Sequence, residues 1–98
     1  SDTTRRNVFE ILSAGPRSVA DIARRLPVTR PAVSQHLRVL RDAGLVTLRT
    51  EGTRNLYQID PDGVAALRKY LDSLWQTALE QFKATAERRS PRRKEKRR

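Results

Sequence analysis

The sequence predicts a mostly α-helical domain with one small β-hairpin, in the order helix, helix, helix, strand, strand, helix. Three observations carry that prediction. Apolar residues recur at helical spacing in four segments. Over residues 45–59 the pattern changes to the alternation of strands. Residues that start or stop a helix or turn bracket each segment. With 98 residues the chain is one small domain, whose core is marginal without a partner or a staple. It contains no Cys, so neither a disulfide nor a thiolate ligand is available.

The first helix is expected over residues 3–13, capped by Asp2, with Val8, Ile11 and Leu12 inward and Phe9 widening the stripe. Ala14-Gly15-Pro16 breaks it. Arg17 leads into a short second helix opened by Ser18, with Asp21 three residues on in the manner of a capping box. Val19, Ile22, Ala23 and Leu26 are its core positions, and Pro27 closes it. A tight turn then reaches the third helix, so the two helices have the helix-turn-helix arrangement.

The third helix, within residues 28–45, organises the chain. Thr29 can accept a hydrogen bond from an unpaired N–H as N-cap, and Pro31 falls in the first turn, where its missing N–H does no harm. Val33, Leu37 and Leu40 form the inward stripe, and Gly44 ends the helix in the way a left-handed cap residue does. At ~100° per residue, Ser34, Gln35 and Arg38 point outward, with Thr29 and Arg30 at the leading tip. These side chains match base edges: Arg with guanine, Gln with adenine, Ser with either. A merely solvated helix face would more often carry Glu and Lys. Thr29 and Arg30 are better placed for phosphates, near the positive helix end. His36 lies to one side of the stripe, where it can either hydrogen-bond inside the motif or touch a phosphate.

Residues 45–50 and 54–59 read as two strands, with Val46 and Leu48 answering Leu56, Tyr57 and Ile59 across a Glu51-Gly52-Thr53 turn. Arg49, Arg54 and Asn55 flank the tip and would carry positive charge to a nucleic-acid backbone. A hairpin with merely solvated arginines is the alternative, disfavoured by its position directly behind the reading helix. Asp60 caps the last helix, Pro61 takes its first position and Asp62 its first turn, giving a helix over about residues 61–87. Its apolar set (Val64, Leu67, Tyr70, Leu71, Leu74, Trp75, Ala78, Leu79, Phe82) is wider than one face of so small a domain needs. The expectation is a homodimer through Leu71, Leu74, Ala78 and Phe82, together with Val8, while Trp75 and Leu79 could serve either surface. The alternative is a helix folded back over its own domain.

The formal net charge is +10, from 21 basic and 11 acidic residues. Residues 88–98, expected to be a disordered basic tail, hold eight basic residues and Glu95, leaving only +3 for the first 87. Overall basicity is therefore a weak argument for a polyanionic partner, and the case rests on where the folded part places its charges.

Together these features resemble the ArsR/SmtB type of winged helix-turn-helix. The resemblance is carried by Arg30-Pro31-Ala32-Val33-Ser34-Gln35-His36-Leu37-Arg38-Val39-Leu40, the exit Ala43-Gly44-Leu45-Val46, and the wing ending Leu56-Tyr57. Thr4-Arg5-Arg6 and Gly15-Pro16 also fit, and the likeness spans roughly residues 2–82. It implies a dimeric bacterial transcription repressor on a palindromic operator. The sequence departs from the metal-sensing members, whose Cys-containing motif on the second helix is replaced here by Arg17-Ser18-Val19-Ala20-Asp21. His36 is the only His, so a His-rich site on the last helix is also absent.

The expected partners are double-stranded DNA and a second copy of the chain, with no membrane, no metal and no cofactor, in the cytoplasm. No apolar run is long enough to span a bilayer and no signal-peptide pattern opens the sequence. Catalysis is not expected, because no nucleophile with a positioned base and no Gly-rich phosphate loop is present. Two other functions fit the same fold. A protein-interaction module would more often present an apolar or acidic outer face, and a DNA-coating protein led by the tail would show no sequence preference. The sequence names no operator and no inducer.

Overall fold

A computed structural model describes residues 1–89, in two compact units, residues 1–65 and the segment from Ala66. The elements are α1 (Asp2–Leu12), α2 (Val19–Arg25), α3 (Arg30–Asp42), β1 (Val46–Glu51), β2 (Arg54–Ile59) and α4 (Pro61–Arg89). The order matches the six expected elements, with ends shifted by a residue or two. The expected tail begins inside α4, since Arg88 and Arg89 are helical, and the rest of it lies outside the described residues.

Local rules account for the helix ends. The Ser18 hydroxyl accepts from the Asp21 N–H at 3.1 Å, and the Thr29 hydroxyl from the Ala32 N–H at 3.3 Å. At the far end of α3, Gly44 takes a left-handed φ of 80°. The Leu45 N–H then donates to the Leu40 carbonyl at 3.0 Å and the Gly44 N–H to Arg41 at 2.9 Å, the bond pair of a Schellman cap. One cap differs from expectation. Ser1, not Asp2, caps α1 by accepting from the Thr4 N–H, while Asp2 lies within the first turn and pairs with Arg5 at 3.1 Å. Both residue types cap well, and the chain places the hydroxyl one residue earlier.

The core of the first unit joins Val8 and Leu12 of α1, Ile22 of α2, Val33, Leu37 and Leu40 of α3, and Val46 of β1. Val19, Ala23 and Leu26 pack at its half-buried rim. Val8 is fully buried here. It is spent on its own domain, so its expected place at a seam between two copies is corrected. The helical spacing of Val8 and Leu12 defines an apolar face but not which surface covers it.

The strands pair antiparallel, from Val46 opposite Ile59 to Glu51 opposite Arg54, around a two-residue loop in which Gly52 has φ 64°. Arg17 extends this hairpin. Its N–H donates to the Tyr57 carbonyl at 2.9 Å and its carbonyl accepts from the Tyr57 N–H at 2.8 Å. The connection before α2 is thus pinned to the wing, a pairing that no local pattern announces.

The start of α4 is fixed by backbone. Asp60 donates its N–H to the Leu45 carbonyl at 2.9 Å, and its carboxylate accepts from the N–H groups of Asp62 and Gly63 at 3.0 and 3.4 Å. Gly63 lies so close to the end of α3 that a Cβ on it would overlap the Gly44 carbonyl. From Ala66 onward, Leu67, Tyr70, Leu71, Leu74, Trp75, Leu79 and Phe82 are all exposed, Trp75 at 63% and Phe82 at 72%.

The Gly63 contact gives a stability prediction. Gly63→Ala has no flexible side chain to push aside, so it should destabilise by about 1–3 kcal/mol, read as a lower urea midpoint with an unchanged slope. An unchanged midpoint would show that the two backbones separate freely.

Candidate nucleic-acid interface

The inward stripe of α3 fixes the rotation of its outer face. With Val33, Leu37 and Leu40 buried, Ser34, Gln35 and Arg38 are exposed, and so are Thr29 and Arg30 at the leading end. None of Arg30, Ser34, Gln35 and Arg38 has a side-chain hydrogen bond or ion pair within the described residues. Their donors and acceptors are therefore available to an outside ligand. The positive helix end at Thr29 adds an attraction for anions beside Arg30. Arg41, one turn beyond Arg38, is also an exposed basic residue of this helix. The sequence reading omits it, although helical spacing alone was enough to find it.

At the wing, Arg49, Arg54 and Asn55 are exposed, as expected of residues at a hairpin tip. Their situations differ. Arg54 has no ion-pair partner among the described residues, the Asn55 side-chain Oδ1 accepts from the Thr50 hydroxyl at 3.4 Å, and Arg49 donates to Glu51 at 3.2 Å. The elements that carry α3 and the wing share one core, so both charged surfaces belong to the same compact unit.

His36 does not belong with the residues open to a phosphate. Its side chain is only 8% exposed and its Nδ1 is buried without a partner. Burial lowers its pKa below 6.5, with smaller contributions from the N-terminal ammonium and Arg5 and opposition from Asp2. The imidazole thus sits inward, influenced by the start of α1, and the expectation of a backbone contact is corrected. Its angular position beside the stripe left the choice open, and its burial decides it.

Among the described residues no group of three or more His, Asp or Glu is placed to hold a metal ion, and no helix is long and apolar enough to cross a membrane. The arrangement suits a different ligand: a helix offering amide, hydroxyl and guanidinium groups to base edges, flanked by a cationic hairpin for phosphates.

Comparison with known proteins agrees. A family model described as a helix-turn-helix domain matches residues 1–49. An HTH-type transcriptional regulator of Mycobacterium tuberculosis is 57% identical over 79 residues, covering 81% of this chain and 74% of the relative. An arsenical resistance operon repressor of Escherichia coli is 32% identical, over 86% of this chain and 73% of its own length. In solution, the homodimeric winged helix-turn-helix DNA-binding domain of a possible ArsR-family regulator from Mycobacterium bovis superposes with a TM-score of 0.61. It is 31% identical and covers 83% of this chain and 75% of the other. The chain belongs to the ArsR-type winged helix-turn-helix transcription regulators. In this ArsR-type regulator α2 and α3 form the helix-turn-helix and the β1–β2 hairpin the wing.

The position of His36 makes the stability of the regulator pH-dependent. Because the folded pKa lies below the unfolded value, the unfolded chain binds more protons between the two, and stability rises with pH there. The contribution is complete above about 6.5 and is lost as pH falls through that value toward the folded pKa. Urea midpoints measured from about pH 7.5 to 5 should therefore fall, and His36→Gln should flatten that part of the slope. An equal slope in both proteins would assign it to other groups.

Proposed function

We propose that this regulator is a homodimeric repressor that reads an inverted-repeat operator, with α3 in the major groove and the wing on the flanking backbone. The observation that carries the reading is the exposed face of α3, where Ser34, Gln35 and Arg38 lack internal partners while the opposite face is locked in the core. Gln35 and Arg38 supply the bidentate geometries suited to adenine and guanine, and Ser34 an adaptable hydroxyl. Thr29, Arg30, Arg49, Arg54 and Asn55 position the unit through phosphates without reading sequence.

The exposed stripe of α4 supports pairing with a second copy. Leu71, Leu74, Trp75, Ala78 and Phe82 are exposed within one chain, and a contiguous apolar face of this kind on a soluble domain marks an interaction surface. The homodimeric state of the Mycobacterium bovis domain and the repressor role of the Escherichia coli relative point the same way. Two-fold symmetry places two recognition helices in successive major grooves, so half-sites should lie about one turn, ~34–36 Å, apart. A dimer seated there represses by occupying DNA that the transcription machinery needs.

Selection from random duplexes tests the reading directly and should return an inverted repeat. Absence of any preferred motif would favour a DNA-coating role, and absence of binding a protein-interaction role. Against single-base variants of the selected site, Gln35→Ala or Arg38→Ala should cost about 1–3 kcal/mol and relax preference at one base position per half-site. Equal losses on every variant would mean that α3 does not read sequence.

The pairing is tested separately. Sedimentation of the wild-type chain at micromolar concentration should give the mass of two chains. Leu74→Asp, which buries a carboxylate in an apolar seam, should give one chain with weak operator binding. A wild-type mass of one chain would overturn the dimer.

A further inference from the structure

Three charged side chains share one face at the tip of the wing. Arg49 and Glu51 are two residues apart on β1, and Glu51 lies directly opposite Arg54 in the register. Strand alternation and cross-strand pairing therefore place all three on the same side of the hairpin. Arg49 Nη2 donates to Glu51 Oε2 at 3.2 Å, with the two side chains 45% and 62% exposed. Glu51 is the one acid between Val46 and Ile59, against two arginines, so the hairpin carries +1 where its arginines alone would give +2.

We propose that Glu51 sets how strongly the wing grips DNA, by holding the Arg49 guanidinium and facing Arg54. The proposal rests on the reading of Arg49 and Arg54 as phosphate contacts. As an exposed ion pair, Arg49–Glu51 contributes little to folding. Its effect lies in the complex. A phosphate oxygen that approaches Arg49 competes with the Glu51 carboxylate for the same N–H groups. The end of β1 is paired to β2, so the displaced carboxylate stays on the hairpin face that meets the backbone, where like charge repels it. Fewer counterions are then released on binding than two unmasked arginines would release. Phosphates carry no sequence information, so the restraint applies to every duplex. Glu51 is thus an affinity-setting residue, distinct from the base-reading residues of α3.

The test is Glu51→Gln, which keeps the shape of the side chain and removes its charge. Anisotropy titrations would use two duplexes of equal length, the site recovered by selection and a random sequence, between about 50 and 200 mM salt. Glu51→Gln should bind both duplexes roughly threefold to tenfold more tightly near 0.15 M salt, with a salt slope steeper by up to about one. The thermal midpoint should not change. In an Arg49→Ala background the gain should shrink, because the guanidinium that Glu51 holds is gone. Wild-type affinity and slope in Glu51→Gln, while Arg49→Ala or Arg54→Ala weakens binding, would overturn the role of Glu51 and leave the wing contacts standing. If all three variants bind as wild type, the wing reading fails with it. An equal gain with and without Arg49 would overturn the holding of Arg49.

Discussion

Burial of Val33, Leu37 and Leu40 against side chains from α1, α2 and β1 fixes both the position and the rotation of α3. A fully buried Val or Leu contributes about 1.5–3 kcal/mol, so the inward stripe outweighs any single base contact on the opposite face. That ordering of magnitudes lets the outer face be polar and unsatisfied in the free protein. Ser34, Gln35 and Arg38 need no internal partners because the helix is held from behind. It also limits adjustment on binding, since rotating α3 would pull the stripe out of a close-packed core.

Most of the architecture was legible because it follows from local rules. Ser18 and Thr29 as caps, Gly44 and Gly52 with left-handed backbones, and Asp60-Pro61 as a helix start each act within a few residues of themselves. The features that escaped are contacts between distant parts of the chain. The pairing of Arg17 with Tyr57 leaves no periodicity to find, because it is a single extended residue before a helix. Periodicity marked Val8 as apolar without saying whether its own core or a second chain covers it, and it placed His36 at the edge of a stripe, where small differences in packing decide burial. For the site the division is similar. Helical spacing found the exposed residues of α3, and strand alternation found Arg49 and Arg54. That Arg49 is engaged by Glu51 while Arg54 is not depends on side-chain geometry that alternation does not specify.

Charge in this protein acts by placement. The first 87 residues carry a modest formal excess, and several of their arginines are neutralised locally: Arg5 by Asp2, Arg24 by Asp21, Arg49 by Glu51. The exposed arginines of α3, Arg30, Arg38 and Arg41, have no ion pair among the described residues. Among the described residues Arg54 of the wing is likewise without an ion pair, so α3 and the wing both keep positive charge that an approaching polyanion can meet.

The turn at Gly44 and Leu45 joins three elements through main-chain atoms alone. The Leu45 N–H closes α3, its carbonyl receives Asp60 at the head of α4, and β1 begins at the next residue, while Gly63 rests against the Gly44 carbonyl. Such a joint has a fixed length, because peptide groups have no rotamers to exchange. The distance between the last turn of α3 and the first turn of α4 thus depends on the main chain and on both glycines rather than on the side chains around them. The junction therefore works as a ruler between the end of α3 and the first turn of α4, set by main-chain bonds that most substitutions cannot touch.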